Sequence, residues 1–277
     1  MAKLASLKSV VNKFDLSPKK NLGQNFLLDQ NITDKIIRCV GDIKNQNILE
    51  VGPGPGGLTR SILFAKPAKL VVVEQDSRCI SALEELQAVY SELVIINDDA
   101  LKVNEEDLVP QGSKIIANLP YNIGTALLIK WLDNVSFWQS FTLMFQKEVA
   151  ERIMAKPSTK DYGRLSVICQ LLCDIEWHFN LKPEAFYPPP KVTSSVISLY
   201  PKKVQVSKAI YNSVQLISKI LFNQRRKMLR VTMKQIHADL NGMICNTDIL
   251  LTQRPEELTI EQFVQLAQNY NELKDNG

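Results

Sequence analysis

A glycine-rich turn directly after a short apolar run restricts the fold of this chain more than any other feature. Residues 48–51 read Ile-Leu-Glu-Val, and residues 52–57 read Gly-Pro-Gly-Pro-Gly-Gly. A run of this kind is typical of a buried strand, and glycines after it allow ligand atoms to approach the backbone closely. The pattern predicts a strand, turn and helix of an open α/β fold with a ligand at the turn. A tight turn without a ligand is the alternative interpretation.

Short apolar runs alternate with helical patterns from about residue 45 to residue 200. Runs that are apolar almost throughout suit strands that are covered on both faces, so we predict a mostly parallel central sheet flanked by helices. The predicted strands are 48–51, 70–74, 93–97, 114–117, 141–145, 175–179 and 196–199, and two predicted helices are 125–132 and 147–154.

A second, smaller domain is predicted after Tyr200-Pro201, where the strand pattern stops. Within 206–222, Val214, Ile217, Ile220 and Leu221 recur with the spacing of one helix face. We therefore predict a basic N-terminal arm over 1–20, an α/β domain over 21–201 and an all-helical domain over 202–277.

Several classes of protein and site are not expected. No apolar stretch reaches the roughly 20 residues that cross a bilayer. Lysines interrupt the N-terminus before any secretory apolar region forms, so we expect a cytoplasmic protein without a membrane partner. The five cysteines are scattered without C-x-x-C spacing or nearby histidines, so no metal site is expected.

The glycine turn predicts a site for an adenosine-containing cofactor. Gly52, Gly54 and Gly57 satisfy the G-x-G-x-x-G pattern, and Glu74 ends the next predicted strand, where a carboxylate accepts hydrogen bonds from ribose hydroxyls. Asp99 follows the third strand and offers an acceptor for an adenine amino group. A dehydrogenase fits the glycine pattern equally well, and Asp99 is also typical of a helix N-cap or a solvated loop.

The fourth strand runs into Asn118-Leu119-Pro120-Tyr121, which favours methylation of an exocyclic amine. The N6 lone pair of adenine is delocalised into the ring, so acceptors on both N6 hydrogens favour attack on a methyl sulfonium. The Asn118 amide oxygen and the Leu119 carbonyl are two such acceptors, in a loop that Pro120 stiffens. Tyr121 offers a ring that stacks on the base or attracts positive charge. A proline turn without this role is the alternative.

A second aromatic residue, Phe186, precedes Tyr187 and three prolines. Prolines fix an extended segment, so Phe186 is restricted in position and is a candidate for the other face of the target base. A core anchor for a rigid linker is the other interpretation.

Positive charge is concentrated in the predicted helical domain. Residues 201–238 hold nine Lys or Arg and no Asp or Glu. Arg226, Arg230 and Lys234 are four residues apart, so a helix there presents one basic stripe, with Arg225 and Lys227 adjacent. Solvated faces usually mix charge signs, so we predict that these five residues bind nucleic acid.

Taken together, these residues resemble the ribosomal RNA adenine N6,N6-dimethyltransferase family, whose relatives include the macrolide-resistance methylases. The resemblance rests on residues 19–27 (Lys-Lys-Asn-Leu-Gly-Gln-Asn-Phe-Leu), Glu50 to Thr59, Glu74, Asp99 to Leu101, Asn118 to Tyr121, Gln146 to Arg152, Tyr162 to Arg164, Phe186 to Val192 and Gln224 to Lys227.

The resemblance implies a Rossmann-like methyltransferase domain that uses S-adenosylmethionine. Its implied cofactor-binding residues are Gln24, Asn25, Leu27, Gly52, Gly54, Glu74, Asp99 and Asn118. The implied substrate is a pair of adjacent adenosines in a loop near the 3′ end of small-subunit ribosomal RNA, each methylated twice, with the assembling small subunit as partner. We expect the protein to act as a monomer.

Three alternatives remain open at this point. A resistance-type methylase of large-subunit RNA shares the motifs. A DNA adenine-N6 methyltransferase also follows Asn or Asp with Pro and an aromatic residue, although Leu119 stands here at the second motif position. A non-catalytic RNA-binding assembly factor of the same fold is the third alternative, against which the intact Asn118, Pro120 and Tyr121 argue.

Overall fold

The computed structural model describes residues 4–18 and 23–275, which form two units. The first unit comprises Met1–Lys147 and Ile175–Pro201, and the second comprises Glu148–Asp174 and Lys202–Gly277. The chain passes from the first unit to the second after Pro201, where the sequence analysis places a domain boundary. The prediction differs for Glu148–Asp174, which group with the second unit because the helix at 164–172 packs on the C-terminal helices.

A seven-stranded sheet forms the centre of the first unit. Its strand order is β4-β3-β2-β5-β6-β9-β7, and a separate pair joins β1 to β8. The strands are β1 (Phe26–Leu27), β2 (Asn47–Val51), β3 (Lys69–Glu74), β4 (Leu93–Asn97), β5 (Lys114–Asn118), β6 (Ser140–Gln146), β7 (Cys173–Leu181), β8 (Phe186–Tyr187) and β9 (Ser194–Pro201).

The five strands β2 to β6 pair in parallel, and β9 pairs antiparallel with β6. The chain passes from β2 through β3 to β4 on one side and then returns to β5 on the other side. This reversal separates the loops after β2 and β5, and ligands of open α/β sheets bind in such a crevice. The mostly parallel Rossmann-like sheet confirms the predicted fold class.

The helices of the first unit are α1 (Leu7–Lys13), α2 (Gln30–Val40), α3 (Gly57–Phe64), α4 (Ser77–Gln87) and α5 (Gly124–Leu132). The apolar faces of α2, α3 and α4 pack with the sheet in one core cluster. Side-chain caps begin two of them, since Asp29 accepts from the Asn31 N–H and Asp76 accepts from the Arg78 N–H.

The predicted basic arm is in part a packed helix. Leu7, Val10 and Val11 of α1 are buried, and Val10 and Val11 share a cluster with Phe26. Three of the five arm lysines, at positions 3, 19 and 20, lie outside the described residues, as do Asn21 and Leu22 of the resemblance motif.

The second unit is helical. Its helices are α6 (Lys147–Met154), α7 (Arg164–Leu172), α8 (Lys208–Asn223), α9 (Leu229–Thr232), α10 (Leu240–Met243) and α11 (Ile260–Asp275). Val214, Ile217 and Leu221 are buried on one face of α8, as the spacing predicts. The rings of Phe222 and Phe263 stack with centroids 5.9 Å apart, which joins α8 to α11.

The prediction of one continuous basic helix is wrong. Helix α8 ends at Asn223, Arg226 lies in a turn, Arg230 lies in the four-residue helix α9, and Lys234 lies in a 3-10 turn. The backbone explains the break, because the N–H groups of Leu229 and Arg230 donate to the carbonyls of Gln253 and Leu251 instead of to the preceding turn. Across the described parts of both units, no helix combines the length and apolar character that spanning a membrane requires.

Candidate cofactor and methyl-transfer site

A cavity of about 310 Å³ lies at the carboxyl edge of the sheet in the first unit. The ends of β2, β3, β4 and β5 border it, which places it at the reversal in strand order. All eight predicted cofactor residues and four of the five predicted catalytic residues line it. They are Gln24, Asn25, Leu27, Gly52, Gly54, Glu74, Asp99, Asn118, Leu119, Pro120 and Tyr121.

The glycine turn forms one wall of the cavity through close backbone approach. Gly54 has a φ of +55°, and a Cβ on it would lie 2.9 Å from the Phe26 ring. A Cβ on Gly57 would lie 2.2 Å from the Leu27 carbonyl oxygen. Side chains at either position would collide with β1, so glycine is required for the turn to meet this strand.

Glu74 is a buried carboxylate that organises the turn. One of its oxygens accepts from the Gly54 N–H at 2.9 Å, and the other accepts from the Asp76 N–H at 2.8 Å. Burial raises the pKa of Glu74 above its ordinary value, although these two backbone hydrogen bonds oppose the change. Each carboxylate oxygen keeps further acceptor capacity, so Glu74 is equipped to receive hydroxyl donors from a ligand in the cavity.

Glu50 is a lining residue that our sequence analysis did not select. It is 1% exposed, and its Oε2 has no hydrogen-bond partner among the residues that the structure describes. Burial raises the pKa of Glu50 to about 8, and the charge of nearby Glu74 acts in the same direction. The sequence signal that could have identified Glu50 is an acidic residue within an otherwise apolar strand. Burying a carboxyl oxygen without a hydrogen-bond partner costs free energy. Its presence here therefore suits a cavity that receives a hydrogen-bond donor or a cation.

A second group that sequence analysis missed holds the segment before β1. The Gln24 amide donates to Asp76 at 3.1 Å, and Arg78 forms an ion pair with the same carboxylate at 2.6 Å. The Arg78 guanidinium holds the pKa of Asp76 down at about 2. Asp76 therefore remains an acceptor for Gln24 at neutral pH and positions this part of the cavity wall.

Asn118 is the last residue of β5 and points its amide nitrogen at another lining residue. Its Nδ2 donates to the Asn25 carbonyl at 3.1 Å. This bond orients the planar amide, and within residues 4–18 and 23–275 no group donates to Oδ1, which is therefore available as an acceptor. The segment Gln24–Asn25 and the end of β5 thus define the orientation of this side chain together.

The Leu119 carbonyl supplies a second acceptor beside Asn118. Among residues 4–18 and 23–275, no group donates a hydrogen bond to this carbonyl. The following turn is fixed, because the Pro120 carbonyl accepts from the N–H groups of Ile123 and Gly124 at 3.2 and 3.0 Å. Two acceptors on adjacent residues suit the two hydrogens of an exocyclic amine.

Tyr121 is held by a hydrogen bond between its hydroxyl and the Ser194 hydroxyl at the start of β9. Ser194 is fully buried. Burial raises the pKa of Tyr121 above its ordinary value, so the phenol stays neutral and forms an aromatic wall. A neutral ring suits stacking on a base better than an ionised one.

The structure corrects the prediction for Phe186. This residue is 4% exposed, belongs to the main core cluster and does not line the cavity. It pairs with Leu27 across the β1–β8 ladder, and the neighbouring Tyr187, which pairs with Phe26, is half exposed. Side chains alternate along a strand, so the register that exposes Tyr187 buries Phe186. The interpretation of Phe186 as a core anchor is therefore the one that agrees with its position.

Asp99 organises its loop, as one of the two interpretations from the sequence predicts, and its role toward a ligand stays a prediction. Its Oδ1 accepts from the Leu101 N–H at 3.0 Å, which caps a turn. Its Oδ2 lies 3.9 Å from the Lys102 ammonium, and the residue lines the cavity. One oxygen therefore organises the loop while the other retains acceptor capacity toward a ligand.

The predicted RNA-binding residues differ in exposure within the second unit. Arg226, Lys227, Arg230 and Lys234 are exposed. Arg225 instead forms an ion pair with Glu256 and donates to the carbonyls of Lys160 and Thr159. Its guanidinium joins segments of the unit, which excludes it from the free cationic surface. In the described ranges, no group of three or more His, Cys, Asp or Glu is arranged to hold a metal ion.

Known proteins are similar to this chain in sequence over most of its length. Residues 16–272 match the family model for ribosomal RNA adenine dimethylase. The chain is 48% identical over 265 residues to ribosomal RNA small subunit methyltransferase A of Wolbachia pipientis wMel, covering 94% of this chain and 91% of that one. It is 46% identical over 271 residues to the protein of the same name from Rhizobium etli, covering 96% and 98%.

A solved structure is also similar to this one. The crystal structure of a dimethyladenosine transferase from Plasmodium falciparum superposes with a TM-score of 0.73 at 26% sequence identity. The match covers 88% of this chain and 96% of that chain.

Proposed function

This chain belongs to the ribosomal RNA adenine dimethylase family, and we propose that it methylates N6 of two adjacent adenosines near the 3′ end of small-subunit ribosomal RNA. Each adenosine receives two methyl groups from S-adenosylmethionine. One observation carries the proposal, namely the orientation of Asn118, whose amide nitrogen is bound to Asn25 and whose oxygen is available in the cavity.

The residues present fit the cofactor. Gly52, Gly54 and Gly57 bring the backbone close to a ligand, and Glu74 offers acceptors to ribose hydroxyls. Asp99 offers an acceptor to the adenine amino group. The unpartnered oxygen of Glu50 offers a further acceptor to a hydrogen-bond donor of the ligand. When bound, S-adenosylmethionine supplies an electrophilic methyl group on a sulfonium centre.

The Asn118 oxygen and the Leu119 carbonyl hold the two N6 hydrogens of the target adenine. Hydrogen bonds from N6 to these two acceptors favour a pyramidal nitrogen. The lone pair is then less delocalised into the ring and is available for attack. Positive charge then develops on N6, and oriented acceptors stabilise that charge without reorganising during the reaction. The methylated, cationic N6 then releases one proton to water, so one N6 hydrogen remains and one acceptor still orients the nitrogen for the second transfer.

Tyr121 positions the base through its ring. Ser194 fixes the hydroxyl, and the turn after Pro120 fixes the backbone, so the ring presents a stable face to an unstacked base. A base in a loop is easier to unstack than one in a duplex, which favours a single-stranded target.

Phosphate contacts come from exposed cations of the second unit, namely Arg226, Lys227, Arg230 and Lys234. Such contacts are independent of sequence and depend on salt. Specificity for the target therefore arises from RNA shape together with the pocket for the base. The partner we propose is the assembling small subunit, in keeping with the names of the relatives.

The test is transfer of labelled methyl groups to three substrates. They are small ribosomal subunits from cells that lack this modification, large subunits and duplex DNA. We expect label only in small subunits, with N6,N6-dimethyladenosine as the product by nucleoside mass analysis. Label in large subunits or in DNA would instead support a resistance-type or DNA methylase. Absence of transfer to all three would support a non-catalytic factor.

A further inference from the structure

We propose that Lys130 is a positioning residue that sets the recognition of the cofactor's adenine ring. Lys130 does not line the cavity. Its ammonium instead grips the loop that carries Asp99 and Leu101, and it does so from the helix that follows the methyl-transfer motif. This inference rests on the proposed function, because it assigns the adenine of S-adenosylmethionine to Asp99.

All three donors of the Lys130 ammonium are used. It donates to the Ala100 carbonyl at 2.8 Å and to the Val103 carbonyl, and it forms an ion pair with Glu105 at 2.8 Å. An ammonium has three N–H bonds, so this set of acceptors saturates it. A lysine that binds two carbonyls of one short loop restrains the path of that loop.

Glu105 completes this set of contacts from the buried side. We call the contacts of Lys130 with Ala100, Val103 and Glu105 the clamp. The residue is 3% exposed, and its second carboxylate oxygen accepts from the Trp131 indole N–H at 2.8 Å. The Lys130 side chain is 29% exposed, so the ion pair is partly shielded from water. Neighbouring residues of α5 thus bind both oxygens of one buried carboxylate, which anchors the clamp to the helix.

The clamped loop is the part of the cavity that faces an adenine ring. Asp99, Ala100 and Leu101 all line the cavity. The Asp99 carbonyl accepts from the N–H groups of Lys102 and Val103, and its Oδ1 accepts from Leu101. The direction of its remaining oxygen therefore follows from the backbone of residues 99–103, two carbonyls of which Lys130 holds.

The clamp also connects two functional loops. Helix α5 begins at Gly124, and the turn before it carries Asn118 to Tyr121. Lys130 is six residues further along, about 9 Å on an α-helix. One rigid helix therefore joins the acceptors for the target base to the loop that recognises the cofactor, so both respond to the same restraint.

Replacing adenine by hypoxanthine in the ligand distinguishes a positioning role of Lys130 from a general contribution of Lys130 to protein stability. Adenine presents an amino donor to Asp99, whereas hypoxanthine presents a carbonyl at that place. A well-placed carboxylate discriminates between them, and a misplaced one does not. Hydrogen bonds to charged groups predict at least about tenfold tighter binding of the adenine ligand by the wild-type protein.

The experiment measures binding of S-adenosylhomocysteine and its hypoxanthine analogue by calorimetry. Removing Lys130 alone would leave the Glu105 charge buried, so the main variant combines Lys130→Met with Glu105→Gln. We expect it to reduce the preference for adenine at least about fivefold. Lys130→Arg, which keeps a cation and several donors, should retain the preference within about twofold.

Matched controls make the result decisive. Lys114→Met removes another partly buried ammonium, which donates to the Asp42 carbonyl away from the cavity, and should leave the preference unchanged. Asp99→Asn should reduce the preference like the double variant. If that double variant does not fold, Lys130→Gln combined with Glu105→Gln gives the same comparison without leaving a buried unpaired charge.

An unchanged preference in a folded double variant would overturn the inference, and so would an unchanged preference in Asp99→Asn. Failure of the cofactor assignment in the proposed function is distinguishable, because the wild-type protein would then bind neither ligand. Loss of preference together with rescue by Lys130→Arg supports the positioning role.

Discussion

Replacing Glu50 by glutamine should remove much of the pH dependence of the stability of the first unit. Glu50 is 1% exposed, and burial raises its pKa from 4.5 to about 8. Below its unfolded pKa the carboxyl is protonated in both states and costs no stability by ionisation. As pH rises, the unfolded chain releases this proton while the folded chain retains it, so stability falls until the pH passes about 8.

The magnitude follows from the two pKa values. A difference of one pKa unit corresponds to about 1.4 kcal/mol. Between about pH 5.5 and about pH 8.5 the ionisation of Glu50 should therefore cost the ligand-free protein roughly 3 kcal/mol. Glu50→Gln lacks this cost, so the stability difference between variant and wild type should shift by that amount in favour of the variant.

The assay is urea unfolding followed by tryptophan fluorescence at several pH values. All three tryptophans, Trp131, Trp138 and Trp177, lie in the first unit, so the signal reports the unit that contains Glu50. Glu74 remains in both proteins, so of its contribution only the electrostatic coupling to Glu50 differs between them. Parallel stability curves for the two proteins would refute the reasoning, because they would mean that Glu50 ionises normally in the folded state.

Two further predictions concern RNA binding and the glycine turn. Replacing Arg226 and Arg230 together by alanine should weaken RNA binding and lower its salt dependence by about one to two in the log–log slope, with cofactor affinity unchanged. Lys44→Ala, which removes an exposed lysine before β2, is the control, and an unchanged slope in the double variant would contradict the assigned surface. Gly57→Ala should destabilise the first unit by about 3 kcal/mol or more in the same fluorescence assay, because the new Cβ would lie 2.2 Å from a carbonyl oxygen of β1. Gly163→Ala, where the Cβ meets nothing within 4 Å, should cost far less when unfolding of both variants is also followed by far-UV circular dichroism, which reports both units. Equal losses in the two variants would contradict the steric explanation.

The sequence predicts the main sheet well because its strands are continuous apolar runs. The run at 93–97 and the helix at 147–154 are confirmed with the same limits, and the other strands agree within a few residues. The β1–β8 pair was not predicted, because two-residue strands carry no periodicity. Its register is what buries Phe186 and exposes Tyr187.

The candidate site is predictable where its residues follow strand ends. Parallel strands bring their carboxyl ends to one edge, so the neighbourhood of Glu74, Asp99 and Asn118 follows from order along the chain. Contacts between distant loops are not encoded in this way. The bond from Gln24 to Asp76 and the grip of Lys130 on residues 100–103 depend on tertiary packing.

The prediction of one continuous basic helix is wrong for a related reason. Helical spacing of charges describes a surface only if the backbone is helical throughout. The N–H groups of Leu229 and Arg230 bond to a distant loop, and the helix is interrupted there. Four of the five cations selected from composition are nevertheless exposed, and their binding of RNA stays a prediction.

The proposed methyl transfer depends above all on Asn118 as an acceptor for the target N6. The direct measurement is the single-turnover rate of methyl transfer to unmodified small subunits by the Asn118→Ala protein at saturating cofactor. We expect the rate to fall by at least about 100-fold, while RNA affinity stays within about twofold of wild type. A rate near that of the wild-type protein, with the product still methylated at N6, would contradict the assignment.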